Sequence, residues 1–238
     1  MAKNNNLQDF LTDIANSIRT KTGTTQPINA QNFSTEILNI PTGGENTLKN
    51  LLDATQKAEG LFLNYKGDSV DNLIAYNDTE NVVVAERMFK DCINLLSIPL
   101  LDTSNLQNIE QMFNGCSSIT TIPLFNFSKA NNIRFLFNNC LKLEVIPELD
   151  FSSVPSDSLY STNIFGGCSS LKSILATGIK FSFNISASTQ FEKSDLVTIL
   201  NNLATVTTTK TLTMGATNLA KLTDEDKAIA TNKGWTLA

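Results

Sequence analysis

Phe89-Lys90-Asp91-Cys92, Phe113-Asn114-Gly115-Cys116, Phe137-Asn138-Asn139-Cys140 and Phe165-Gly166-Gly167-Cys168 are four versions of one pattern, set 24, 24 and 28 residues apart. All 4 cysteines of the chain fall at the same position in it. Six residues after each Phe stands Leu95, Ile119, Leu143 or Leu171, and three further on stands Ile98, Ile122, Ile146 or Ile174. A fixed period in this range marks a solenoid, because a single unit cannot bury its apolar side and must stack on the next. The pattern speaks of architecture and of a binding surface, not of chemistry.

Two hydrophobic periods alternate inside each unit. Leu95-x-x-Ile98-x-Leu100 and Ile119-x-x-Ile122-x-Leu124 match the short strand of a leucine-rich repeat. The third unit puts Glu148, and the fourth Ala176, at the last apolar place. Leu106, Ile109, Met112 and Phe113, and likewise Ala130, Ile133, Leu136 and Phe137, follow at steps of three and four, which predicts one or two helical turns. Asp102-Thr103-Ser104-Asn105 offers short side-chain acceptors where such a turn begins. The expected fold is α/β: a leucine-rich-repeat solenoid, with a parallel sheet plus short helices over 89–180.

The chain has 238 residues, with 18 Lys and Arg against 23 Asp and Glu, and no basic run. Neither nucleic acid nor an anionic membrane is therefore an expected partner. No stretch approaches a transmembrane span, so no membrane insertion is expected, and Met1 to Asn6 lack the apolar run of a secretory signal. His is absent, which removes the commonest general base, the commonest neutral metal ligand and any Ser-His or Cys-His nucleophile pair. The chain is expected to have no catalytic residues, no metal and no cofactor.

Leu7, Phe10, Leu11, Ile14 and Ile18 recur at helical steps, and Phe33, Ile37 and Leu38 do so before Pro41. Helices this short need a partner surface. Residues 1–41 thus read as a helical docking segment, with Phe10, Leu11, Ile14, Ile18, Phe33 and Ile37 as its contact residues. Residues 42–88 hold a Gly43-Gly44 hinge, a capping helix from Leu48 to Leu61 and a degenerate first repeat with Val70-x-x-Leu73 as its strand. In residues 181–238, Phe181 and Phe183 belong to an alternating strand, Leu196, Ile199, Leu200 and Leu203 to an amphipathic helix begun by Ser194, and Thr223-Asp224-Glu225-Asp226 to the acidic start of a last helix. This part is expected to be an α/β C-terminal cap.

Resemblances to known proteins bear on function. Ile14 to Gly23 together with Pro27 to Phe33 resembles a segment common near the start of bacteriophage tail and fibre proteins. Residues 88–177 resemble the BspA-type leucine-rich repeat through Met-Phe-x-x-Cys, Ser-Ser-Leu or Ser-Ser-Ile, Ile-Pro and Asp-Thr-Ser-Asn. Lys233-Gly234-Trp235-Thr236 is similar to the ending of phage-borne proteins that carry this repeat. The first implies a virion protein, made in the host bacterial cytoplasm. The second implies binding of a protein or glycan without catalysis. Together they imply a tail-fibre or tail-tip component that binds other virion proteins and a host cell-surface protein or glycan, as a homo-oligomer in the particle. A capsid or tail decoration protein and a bacterial surface adhesin are the alternatives.

The outward residues of the expected strands are the candidate binding residues: Leu96 and Ser97, Thr120 and Thr121, Glu144 and Val145, Lys172 and Ser173. The bland alternative is a merely solvated face. The cysteines read as a buried thiol ladder rather than zinc ligands, which usually come as close pairs. Asp224, Glu225 and Asp226 read as a helix start before they read as a cation site. The placement of the remaining acids does not single out a catalytic pair.

Overall fold

A computed structural model describes residues 47–71, 73–156 and 158–238. The docking segment expected over residues 1–41, with its six contact residues, lies outside the described residues. The fold is mixed α/β, with short parallel sheets and few helices.

Parallel bridges run Lys57 to Val84, Val84 to Asn108 and Asn108 to Asn132, so neighbouring units lie side by side. The N–H groups of Ala85, Arg87, Phe89 and Asp91 donate to the carbonyls of Asn108, Glu110, Met112 and Asn114 at 2.7 to 2.9 Å. Ile109, Gln111, Phe113 and Gly115 donate in the same way to Asn132, Arg134, Leu136 and Asn138. The intervening N–H groups of Met88, Lys90 and Cys92 turn back onto Ala85, Arg87 and Phe89 within the unit. Alternate residues thus serve the neighbour and the local turn, so both kinds of donor are satisfied without a helix.

That scheme corrects the expectation of helical turns. Each unit holds two residues with left-handed backbone four apart: Arg87 and Asp91, Gln111 and Gly115, Phe135 and Asn139, Asn163 and Gly167. An α-helix tolerates none of these, and the apolar spacing of three and four arises from a coiled rung that turns the same residues inward. At the second left-handed place, Asp91 and Asn139 alternate with Gly115 and Gly167. A Cβ on Gly115 would stand 2.3 Å from Asp91 Oδ1, and one on Gly167 would stand 2.5 Å from Asn139 Oδ1. Each Asx side chain thus occupies the room its neighbouring glycine leaves. Gly115→Ala should therefore cost about 1–3 kcal/mol, and adding Asp91→Gly should recover part of it. Urea unfolding of both single variants and the double measures this; strictly additive losses would contradict the packing.

The strand expectation also needs correction. Among the described residues of the repeats, only β1 (Val145–Ile146) and β2 (Ser173–Ile174) form strands, paired in parallel. Leu175 N–H donates to Ile146 O at 2.9 Å. The equivalent places in the earlier units are Pro99, Pro123 and Pro147, which have no N–H to close that rung. Leu73 N–H likewise donates to Val70 O at 2.8 Å, within its own unit and not to a neighbouring strand. The inward residues step by three: Leu95, Ile98 and Leu101, then Ile119, Ile122 and Phe125, then Leu143, Ile146 and Leu149. Leu100 and Leu124, expected inside, are instead exposed.

α1 (Thr47–Thr55) ends earlier than expected, at Gln56 with φ 55°. Ala58, Gly60, Phe62 and Asn64 then donate to Val84, Glu86, Met88 and Lys90, so the first rung begins here. The longer fourth unit leaves the pattern after Phe151, where buried Val154 sits among exposed Ser152, Ser153 and Ser156.

The C-terminal part continues the parallel arrangement. β3 (Phe183–Asn184), β4 (Lys210–Thr213) and β5 (Trp235–Leu237) form one sheet in that order. Between its strands lie α2 (Lys193–Asn202), α3 (Ala216–Leu219) and α4 (Asp224–Thr231). α2 begins one residue before Ser194, and the Asp195 carboxylate accepts from Glu192 N–H at 3.2 Å. Its last turn is closed from afar: Lys233 Nζ donates to the carbonyls of Leu200, Asn201 and Leu203 at 3.1, 2.6 and 3.0 Å. A cation there suits the negative end of the helix dipole.

One apolar cluster reaches from Leu52 to Trp235. Its axis is a row of near-parallel rings, Phe62, Phe89, Phe113, Phe137 and Phe165, with centroids 5.3, 5.6, 5.7 and 6.0 Å apart. Phe183 meets Phe165 edge-on at 6.0 Å, and Trp235 meets Phe183 in the same way, also at 6.0 Å.

Candidate functional site

A second set of contacts between units is made by the segments that follow each cysteine. Leu96, Ser97, Thr120, Thr121 and Lys172 are exposed there, whereas Glu144, Val145 and Ser173 are half-buried. Glu144 N–H donates to Thr120 O at 2.9 Å and Lys172 N–H to Glu144 O at 2.8 Å, which sets these three in one row. Val145 and Ser173 pair beside them. Leu96 N–H donates to Asp68 O of the preceding unit at 2.9 Å. Lys172 Nζ lies 2.9 Å from Glu144 Oε1, with both side chains near half exposure, so the pair adds little stability and mainly neutralises charge.

Leu100 and Leu124, exposed by 55% and 62%, add to this face. They stand one 24-residue period apart, on neighbouring units, and Glu148 continues their row. Half-buried Pro99, Pro123 and Pro147 run alongside. The strand pattern counts both leucines as its last apolar position. The signal that could have corrected it is the doublet Glu148-Leu149, aligned with Leu100-Leu101 and Leu124-Phe125. Its charged first member marks the first position of every doublet as the outward one.

The other candidate groups have partners. Cys92, Cys116, Cys140 and Cys168 are free and buried. Each thiol donates to a Phe carbonyl of the neighbouring unit, that of Phe62, Phe89, Phe113 or Phe137, at 2.9 to 3.1 Å. The adjoining Cys92 thiol, and after it burial, pushes Cys116 well above the ordinary thiol range. Burial does the same to Cys140, and pushes Cys168 up to about 12. Thiolate is the reactive form, so these three should resist thiol reagents in the native state. Their raised values also mean that the native state holds the proton more firmly than the unfolded chain. This contribution to stability is complete below the ordinary value of 9.0 and is lost as pH rises from there toward about 12. Urea unfolding followed across that alkaline range should show the decline.

Among the described residues, no group of three or more His, Cys, Asp and Glu side chains could hold a metal ion. Asp224, Glu225 and Asp226 open α4. Asp226 N–H donates to Thr223 Oγ1 at 3.2 Å, and Thr223 N–H donates to Asp226 Oδ2 at 2.8 Å. The Lys193 ammonium, 2.7 Å away, lowers the Asp226 carboxyl below its usual range. On the ladder side, Asn108 and Asn132 donate to Glu86 and Glu110 of the preceding units at 3.2 and 3.0 Å. Arg87 Nε donates to Glu86 at 2.9 Å. Polar side chains of the ladder thus bond from unit to unit, whereas Leu100 and Leu124 stand exposed.

No curated protein matches the chain. The family model described as "Mycoplasma protein of unknown function, DUF285" matches residues 56–177, from the first rung to the end of the fourth unit. These residues make up just over half of the chain, which therefore belongs to the DUF285 family.

Proposed function

We propose that the chain is a non-enzymatic bacteriophage virion protein, a tail-fibre or tail-tip component whose repeats form a leucine-rich-repeat solenoid. In this reading residues 1–41 dock onto other virion proteins, the chain is a homo-oligomer in the particle, and the face of residues 96–100, 120–124, 144–148 and 172–173 meets a host cell-surface protein or glycan. The observation that carries the binding role is the exposure of Leu100 and Leu124 at 55% and 62%. Large apolar side chains clustered in water mark interaction sites. The phage assignment rests on the resemblance of Ile14 to Phe33 and of Lys233 to Thr236 to phage proteins.

Particles carrying Leu100→Lys and Leu124→Lys together should assemble normally and attach to host cells about 10-fold more slowly, because a central apolar contact carries much of an interface's energy. Normal attachment would remove recognition from this face. Failed assembly with a folded protein would assign the face to a virion partner, as a decoration or connector protein requires.

A further inference from the structure

Asn114 precedes Gly115, the sole Asn-Gly pair of the chain. Glycine has no side chain to hinder its backbone nitrogen from attacking the asparagine Cγ. The N–Cγ bond forms as the Cγ–Nδ2 bond breaks, and the proton lost from the glycine nitrogen balances the one gained by Nδ2 as ammonia leaves. Water then opens the cyclic imide at either carbonyl, giving aspartate or a β-linked isoaspartate. Water is the one co-reactant.

The fold closes this route at each step. Gly115 N–H donates to Asn138 O at 2.8 Å, so the nucleophile is engaged with the next unit. Asn114 N–H donates to Gln111 O at 3.1 Å, which fixes the turn from the other side. Phe113 and Cys116 flank the pair and are fully buried, so the peptide cannot swing toward Cγ without withdrawing one of them from the core. The other units lack the reactive pair: they carry Lys90-Asp91, Asn138-Asn139 and Gly166-Gly167 in its place.

We infer that Asn114-Gly115 is a deamidation site gated by opening of its rung. An isoaspartate there inserts one more backbone carbon between Phe113 and Cys116. The bonds from Phe113 to Leu136 and from Gly115 to Asn138 can then no longer close in register. The site converts transient opening into a permanent break in the ladder.

The test is peptide mapping of the full chain aged in mildly alkaline buffer, beside a synthetic peptide spanning residues 111–118. Asn114 should convert at least roughly 100-fold more slowly in the protein, in proportion to how rarely the rung opens. The rate should rise with urea below the unfolding transition. Asn114→Gln should abolish isoaspartate at this position and leave the urea midpoint unchanged. A native rate within a few-fold of the peptide's would overturn the inference, as would a rate insensitive to urea.

Discussion

Replacing Phe113 with alanine is expected to lower the unfolding free energy by about 3–5 kcal/mol, the range for removing a large ring from a closed core. Phe113 is fully buried and sits in the middle of the ring row, 5.6 Å from Phe89 and 5.7 Å from Phe137, with Phe125 at 6.0 Å. Its own N–H is tied to Leu136 O at 3.0 Å, so the backbone cannot collapse into the space. Phe113→Leu keeps most of the volume and should cost less than half as much. Chemical denaturation of both variants gives the comparison. Equal, small losses would mean that the units do not share one packed axis.

The second large effect falls at the other end. Trp235→Ala should also cost about 3–5 kcal/mol. Trp235 is 2% exposed, packs edge-on against Phe183, and donates Nε1–H to Ala204 O at 2.8 Å. It thereby covers the apolar end that the last repeat would present to water. The tail and the repeats should consequently unfold together. The chain has 1 Trp, in the tail, and 4 Cys, all in the repeats, so two independent probes are built in. In wild-type protein, loss of native Trp fluorescence and exposure of the thiols to a labelling reagent should share one urea midpoint. Separate midpoints would show a repeat block stable without its cover.

The sequence exposed the repeat because the same demands recur in every unit: a Phe for the ring row, a small thiol three residues on, a Leu or Ile six residues on and an Ile nine residues on. It misled where two backbone solutions share one hydrophobic spacing. Steps of three and four suit a helix, but they also suit a rung with left-handed residues at Gln111 and Gly115, and Gln111 is not a residue that advertises such a backbone. An apolar pattern ignores donors, so it marks strands where Pro99, Pro123 and Pro147 lack the N–H that Leu175 supplies. The exposed leucines were hidden for the same reason, since a two-residue alternation turns Leu100 and Leu124 to the side of Ile98 and Ile122, where the observed step of three turns them out. The role of Lys233, closing a helix more than thirty residues earlier in the chain, had no local signal at all.

The position of the chain in a particle decides whether it is a tail-tip protein. The native thiols are buried, so one exposed substitution, Thr208→Cys, gives a single site for a gold label. Electron microscopy of particles carrying this variant should show the label at the distal end of the tail. A label on the head, or particles that carry no label although the protein is made and folded, would contradict the account.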